Sequence, residues 1–313
     1  MMKKVAVLLA AYNGEKWLEE QIASILYQAD VDVTIYISLD ESSDKSREVI
    51  SRMSAAYRNV ILLREGKFGS AGKNFYGIFR DFNIPMDFDF YCLADQDDIW
   101  LKDKLSQAIM LMAKMGSNGY SSNVTAFWPS GERRILTKSQ PQRKWDYFFE
   151  AAGPGCTYVL DSGLYTELAD FISESAIPVE RFEAHDWLIY AFARSRGYPW
   201  TIDECSYMLY RQHASNQVGA NKGMKAYLKR FRAVMSGDWF ARVETLIRVL
   251  GLQTRGPAGL LLEKKPSSYL KMAFHTGEFR RKKSDQVYLS LFFLLYYLSK
   301  LFRMPSWFGF NKN

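Results

Sequence analysis

Short apolar runs alternate with amphipathic stretches through the first hundred residues. Residues 5–10, 33–37, 60–63 and 88–94 are rich in Val, Ile, Leu and aromatic side chains. Polar or glycine-containing segments bound them, which predicts four buried strands. Between the first two, Trp17, Leu18, Ile22, Ile25 and Leu26 recur at helical spacing within residues 15–28. Ser42, Ser43 and Asp44 offer caps for a second helix running through Val49, Ile50 and Met53. Residues 71–82 predict a third, after a loop holding Gly66, Gly69 and Gly72. Strand, helix and strand in repetition is the pattern of a parallel sheet with right-handed crossovers. In such sheets ligands bind beyond the carboxyl ends of the strands.

Farther along, residues 116–142 show no helical period and predict loop mixed with short strands. Gly153-Pro154-Gly155-Cys156 precedes a strand-like 157–160, residues 164–174 and 186–196 predict helices, and 207–210 predicts a short strand leading into Arg211-Gln212-His213. Beyond Val218 the chain becomes basic, helical and aromatic. Up to that point it carries 23 Lys and Arg against 29 Asp and Glu, a net of −6; from Gly219 onward the balance is 18 against 5, a net of +13. An anionic partner therefore belongs to the tail and not to the body. With 48% hydrophobic residues in 313, the chain can bury a substantial core and is not a disordered or fibrous protein. Cys92, Cys156 and Cys205 are odd in number and lack zinc or disulfide spacing, which favours a reducing compartment. Met1-Met2-Lys3-Lys4 and the apolar residues after it imitate a short signal peptide, but the run ends in the turn cluster Tyr12-Asn13-Gly14. A buried first strand in a cytoplasmic chain is the expectation.

Candidate chemistry gathers at the strand ends. The fourth strand runs into Asp95-Gln96-Asp97-Asp98. Three carboxylates in four residues repel one another unless a cation intervenes, and oxygen ligands of this kind suit Mg²⁺ or Mn²⁺ together with substrate phosphates. A solvated acidic turn capping the helix near 101–115 is the alternative. Asp40, at the end of the second strand, is placed to accept hydrogen bonds from a base or ribose, and Ala10-Ala11 are small enough for a ligand to approach the backbone. Asp186 opens a helix, where it serves as a dipole-facing carboxylate if nothing else. No phosphate-cradling Gly-x-x-x-x-Gly-Lys-Ser/Thr, Gly-x-Gly-x-x-Gly or His-Glu-x-x-His occurs.

Together these segments resemble one family. Ala10-Ala11-Tyr12-Asn13-Gly14, Asp40-Glu41-Ser42-Ser43-Asp44, Gly69-Ser70-Ala71-Gly72-Lys73-Asn74-Phe75 and Ala94-Asp95-Gln96-Asp97-Asp98-Ile99-Trp100 are similar, in order and spacing, to the family-2 glycosyltransferases of GT-A fold. The Asp-Gln-Asp-Asp-Ile-Trp run, Gly153-Pro154-Gly155-Cys156, His185-Asp186-Trp187 and Tyr210-Arg211-Gln212-His213 resemble the bacterial rhamnosyltransferase-like branch, which builds surface polysaccharides. The likeness covers about residues 3–218. It implies an α/β fold of GT-A type, with a Rossmann-like, mostly parallel sheet flanked by helices in a domain of residues 1–218. A basic, aromatic-rich helical region of residues 219–313 follows. It also implies inverting transfer from a nucleoside-diphosphate sugar to a glycan or glycolipid hydroxyl. In that frame Ala11 and Tyr12 line the nucleotide pocket, Asp40 accepts the pyrimidine N3–H, Asn74 faces the nucleotide–sugar region, and Asp95 approaches the ribose or sugar. Asp97 ligates Mg²⁺ or Mn²⁺, His213 reaches the metal or diphosphate, and Asp186 is the general base. Asp98, Trp100, His185 and Arg211 are secondary candidates. Where the family commonly has Asp-Asp-Gly this chain has Leu39-Asp40-Glu41, and Lys73 stands where Asn is frequent.

The tail suggests its own partner. Residues 287–298 are apolar except for Ser290, too short for the roughly 20 residues a span requires. Arg280-Arg281-Lys282-Lys283 precede them, and Lys300, Arg303, Trp307, Phe308 and Phe310 follow. An interfacial helix on the anionic inner face of the cell membrane is the expectation, with packing on the catalytic domain or in a homo-oligomer as the alternative. Nucleic acid is not expected, because the positive charge adjoins an apolar run instead of interleaving with stacking aromatics. Two rivals share the same residues: a catalytically inactive, membrane-attached nucleotide-binding or scaffold protein, and a metal-dependent nucleotidyltransferase.

Overall fold

In the computed structural model the described residues are 2–81, 84–175, 178–213 and 238–302. Among them nine strands form one sheet: β1 (Lys3–Ala11), β2 (Val31–Asp40), β3 (Val60–Gly66), β4 (Phe90–Asp95), β5 (Ile99–Trp100), β6 (Gly119–Phe127), β7 (Arg133–Leu136), β8 (Val159–Asp161) and β9 (Trp200–Arg211). Their order is β3-β2-β1-β4-β8-β6-β9-β5, with β7 on the flank of β6. β3, β2, β1 and β4 are mutually parallel, as is the pair β6 and β9, while β8, β5 and β7 run antiparallel to their neighbours. The sheet is thus parallel-dominated, as expected of a GT-A-type α/β fold.

Among the described residues six helices flank it: α1 (Leu18–Leu26), α2 (Ser46–Ala56), α3 (Ala71–Phe79), α4 (Lys104–Met115), α5 (Ser162–Glu174) and α6 (His185–Ser195). Alternation along β1 decides which face meets which helix. Val5, Val7, Leu9 and Ala11 join Ile22 and Ile25 of α1, Ile50 of α2 and Leu105 of α4 in one core. Ala6 and Leu8 are equally buried but point to the other side, where α3 packs on α5 and α6 and Tyr91 of β4 stacks on Tyr165 of α5 at 3.5 Å.

Two strands exceed the sequence expectation. Residues 116–142 contain the nine-residue, mostly buried β6, and the short strand at 207–210 is the end of the twelve-residue β9. The misreading came from polar residues whose needs are met internally. Ser121 Oγ accepts from Trp200 Nε1 at 3.0 Å and donates to Ala152 O at 3.3 Å, and Asn123 Nδ2 donates to Glu204 O at 2.6 Å. Helix boundaries differ too. α2 begins at Ser46, because Asp44 Oδ1 accepts from Ser46 N and Oγ and ties residues 42–45 into a turn. α4 begins at Lys104, after the short β5, so the acidic run at 95–98 does not cap it.

The chain divides into two compact units, Met1–Ser139 with Ala152–Gly219, and Gln140–Ala151 with Ala220–Asn313. In the second, the described helices are α7 (Asp238–Val249), α8 (Ala258–Glu263), α9 (Pro266–Ala273) and α10 (Lys283–Leu301). Residues 140–151 are tied into it closely. Phe149 lies 4.8 Å from Phe279, Arg280 donates to Phe149 O at 2.7 Å, and Arg281 donates to Ala151 O and pairs with Asp146 and Glu150. Two of the four cations at 280–283, expected to face lipid, are therefore engaged inside this unit. None of its described helices is long and apolar enough to cross a membrane. Arg303, Trp307, Phe308 and Phe310 lie outside the described residues.

Candidate active site

The parallel register brings the carboxyl ends of β1, β2 and β4 to one edge of the sheet. Past β1, Tyr12 is exposed, and its backbone is clasped by Gln96. Tyr12 N donates to Gln96 Oε1 and Gln96 Nε2 donates to Tyr12 O, both at 2.6 Å, so one side chain extends the β1–β4 ladder. The next residues knit to the turn after β2: Asn13 N donates to Ser42 Oγ at 3.1 Å, Ser43 N to Asn13 Oδ1 at 2.8 Å, and Gly14 N to Ser46 Oγ at 2.7 Å. Ala11 is buried beneath this mesh.

Asp40 is buried and accepts three backbone N–H bonds, from Glu41 and Phe68 on Oδ1 and from Gly69 on Oδ2, at 2.8–2.9 Å. It anchors the loop before α3, where Gly69 holds φ 80, a conformation that favours glycine. Asn74 is also buried. Its Nδ2 donates to Ser38 O at 3.2 Å and more weakly to Ala11 O at 3.5 Å, stapling β1 to β2. Asn74→Leu should therefore cost about 1–3 kcal/mol of stability, because it strands two buried carbonyls. Urea denaturation checks this; a midpoint unchanged at equal slope would show the staple to be idle.

Past β4 stands the acidic turn. Asp95 and Asp97 are partly buried and Asp98 fully so. Burial, the neighbouring Asp97 and, to a smaller extent, Asp186 push the Asp95 carboxyl up to about 7. Burial, Asp97 and Asp95 likewise push the Asp98 carboxyl well above its ordinary range. Asp98 Oδ1 accepts from Arg211 N at 3.2 Å, its Oδ2 is buried without a hydrogen-bond partner, and the Cys156 thiol lies beside the carboxyl. Asp95, Asp98 and Cys156 each offer a ligand atom within 4.8 Å of the others. Asp97 stands beside these acids, its Oδ2 lying 2.7 Å from His213 Nε2. The end of β9 is held there by α1: the His213 ring stacks on Trp17 at 4.2 Å, Arg211 pairs with Glu20, and Arg211 Nε donates to Asp97 O at 2.8 Å. Carboxylates crowded toward their protonated forms, with a carboxylate oxygen lacking a nitrogen donor, fit a hard divalent cation. The softer Cys156 sulfur lies on the buried side. The described residues thus contain an acidic site able to hold a divalent metal.

Asp186 approaches this cluster from α6. Its Oδ1 accepts from Trp187 N at 2.8 Å, and Trp187, Leu188 and Ile189 anchor the helix in the core. The short 3-10 turn Gly155–Thr157 connects the two regions, since Cys156 faces the acids while Gly155 abuts α6. A Cβ at Gly155 would stand 2.6 Å from His185 Nε2 and 3.4 Å from Asp186 Cβ. His185 stacks on Phe75 at 4.3 Å, and burial pulls its pKa down, so the ring is neutral at pH 7. Trp100 is a core side chain with the buried Lys104 ammonium 3.5 Å over its ring, away from the open edge.

Most of the expected residues therefore meet at one edge: Tyr12, Asp95, Asp97, Asp98, Asp186, Arg211 and His213 surround it, with Asp40 and Asn74 as buried supports of its walls. Sequence reasoning missed Gln96, Trp17, Glu20 and Tyr210. Gln96 was legible only as part of its motif. Trp17 and Glu20 flank the buried Leu18 at the start of α1, and the helical period alone gives neither of them a partner on β9. Burial, with Cys156 and the acids nearby, pushes the Tyr210 hydroxyl upward, marking it as a member of the cluster.

This architecture and site define a nucleotide-sugar-dependent glycosyltransferase, and the chain belongs to glycosyl transferase family 2, whose pattern matches residues 6–153. It is 42% identical over 289 residues to the dTDP-rhamnosyl transferase RfbG of Shigella flexneri, a match covering 92% of this chain and 99% of that protein. A glucosyltransferase of Escherichia coli, WfgD, is 28% identical over 166 residues, 51% of this chain and 61% of that one. Among solved structures, Staphylococcus aureus TarS 1–349 in complex with UDP-GlcNAc shares the fold, with a TM-score of 0.51 and 15% identity over 96% of this chain and 91% of that one.

Proposed function

We propose that the chain is an inverting, metal-dependent transferase that moves a sugar from a dTDP- or UDP-sugar, dTDP-rhamnose foremost, to a hydroxyl of a growing lipid-linked surface polysaccharide. The meeting of the acidic turn at 95–98 with Asp186, across Gly155 and Cys156, carries the reading. The extended likeness to a dTDP-rhamnosyl transferase supports the donor, and the diphosphoundecaprenol-linked acceptor in the name of the E. coli relative supports a lipid-linked acceptor. Residues 1–218 make up the transferase domain in this reading. Residues 219–313 bring it, as a peripheral protein, to the cytoplasmic face of the membrane.

Each residue then has a task. Tyr12 lines the nucleotide, whereas Ala11, expected to do so, is a core side chain beneath it; Asp40 offers a remaining lone pair to the base N3–H while its backbone bonds hold the loop wall. Asn74 keeps the β1 and β2 ends in register beside the donor. Asp97 and His213 would hold Mg²⁺ or Mn²⁺ with Asp95 beside them, and Asp98 and Arg211 fix the turn. A cation held there would supply Lewis-acid stabilisation of the departing diphosphate. Asp186 takes the proton of the attacking hydroxyl as general base. One base with no carboxylate nucleophile gives a single displacement and inversion.

A thermal-shift panel of nucleotide-sugars with Mn²⁺ tests the donor. At a hundred times its Kd a ligand adds about 2.7 kcal/mol of stability, so dTDP-rhamnose should raise Tm by roughly 5 °C. UDP-sugars should shift it less. A larger response to a UDP-sugar would move the donor assignment, and no response to any nucleotide-sugar would remove it.

A further inference from the structure

We propose that the outward face of α10 is the surface by which this protein lies on an anionic lipid leaflet, with the helix axis in the plane of the interface. The purpose of that contact rests on the lipid-linked acceptor proposed above; the contact itself rests on the second unit alone. One side of α10 faces inward: Leu289, Phe293, Tyr296 and Ser299 are buried, and Ser290 Oγ donates to Ala273 O of α9 at 2.8 Å. At 100° per residue, the opposite side carries Val287, Leu291, Leu295, Leu298 and Phe302. All five are exposed, between 39% and 64%, with Tyr288 and Leu301 exposed at the edges. From Val287 to Phe302 this face runs about 22 Å at 1.5 Å per residue without a polar side chain. Phe274, 79% exposed, follows Ala273, the residue at which α9 bonds α10. A continuous exposed apolar surface of this kind marks an interaction site.

Charge selects the occupant. The sequence from Gly219 onward carries 18 Lys and Arg against 5 Asp and Glu. Two copies docked face to face would bring these like charges together, whereas an anionic leaflet supplies the opposite sign. Lys282 and Lys283 are exposed just before the apolar face and Lys300 near its end. The acid of the first turn, Asp285, is engaged by Arg280 at 3.0 Å. Because no described helix can cross a bilayer, insertion of the apolar side chains to the depth of the headgroup boundary is the geometry left to this face.

Flotation of the full chain with vesicles tests this, using phosphatidylcholine alone or mixed with phosphatidylglycerol. Binding to the mixed vesicles should exceed binding to the neutral ones by on the order of tenfold and fall as salt is added. The triple variant Leu291→Gln, Leu295→Gln, Leu298→Gln should lose binding by a similar factor while keeping its helicity and its hydrolysis of nucleotide-sugar. Val287→Gln with Phe302→Gln, at the two ends of the face, provides a second variant should the first misfold. Binding unaffected by both variants, no binding by the unaltered chain, or a face whose loss only converts a dimer to a monomer overturns the proposal. Loss of nucleotide-sugar hydrolysis by the unaltered protein would instead strike at the transferase reading.

Discussion

Asp186→Asn should fold, retain nucleotide and metal affinity, and lose at least about a hundredfold in turnover. The carboxylate occupies the first turn of α6, where a negative charge faces the positive end of the helix dipole. A purely structural Asp in that place stabilises by roughly 0.3–1 kcal/mol. Its local bond, from Trp187 N to Oδ1, is one that an Asn carbonyl can also accept, so the start of the helix survives the substitution. What the amide cannot do is take a proton from an attacking hydroxyl, and a positioned general base supplies on the order of 10²–10⁴ in rate. The two roles thus separate by magnitude: a structural role leaves turnover nearly intact with a slightly lowered Tm, and a base leaves Tm nearly intact with turnover lost. Single-turnover kinetics at saturating donor reads the difference, and a rate within roughly threefold of the unaltered enzyme would assign Asp186 to the helix end alone.

What could be read ahead of the structure follows from where the physical signal is local. β1, β2 and β4 declare themselves because both faces are largely buried, which makes the strands predominantly apolar runs ending at Ala11, Asp40 and Asp95. The acidic turn is legible for the same reason, since charge at the end of such a run demands an explanation. β6 hides because Ser121 and Asn123 lie in a polar stretch where their side chains are paired with groups about 30 to 80 residues away, and no window of sequence contains those partners. Asp40 and Asn74 show a subtler limit. Their positions at the site edge are legible from motif and order, but not that backbone amides occupy the Asp40 carboxylate or that the Asn74 amide spans two strands. The pairing of Trp17 with His213 joins residues nearly 200 apart and has no sequence signature at all.

Asp97→Asn should weaken metal-dependent nucleoside-diphosphate binding by tenfold or more, about 1.4 kcal/mol, without lowering the stability of the metal-free protein. The second half follows from the sign of the Asp95 shift. Asp95 titrates near 7 in the fold against about 3.9 in the unfolded chain. Its neutral form is therefore favoured by the native state, and the stability this confers is complete below about pH 4 and lost as pH rises through about 7. The Asp97 charge is the second-largest cause of that shift after burial, so removing it relieves a repulsion that the metal-free enzyme bears at neutral pH. A bound cation relieves the same repulsion. It also competes with the Asp95 proton, so metal affinity in the unaltered enzyme should climb between about pH 6 and 8 and flatten above. The amide introduced by Asp97→Asn would still sit near His213, whose ring Trp17 holds by stacking, so the turn keeps its shape. Calorimetry of nucleotide binding with Mn²⁺ and with excess chelator, across that pH range, reads both effects. Equal affinity with and without chelator in the unaltered protein would take the metal away from Asp97. A metal-free Asp97→Asn variant that melts well below the unaltered chain would show that the carboxylate serves the fold instead.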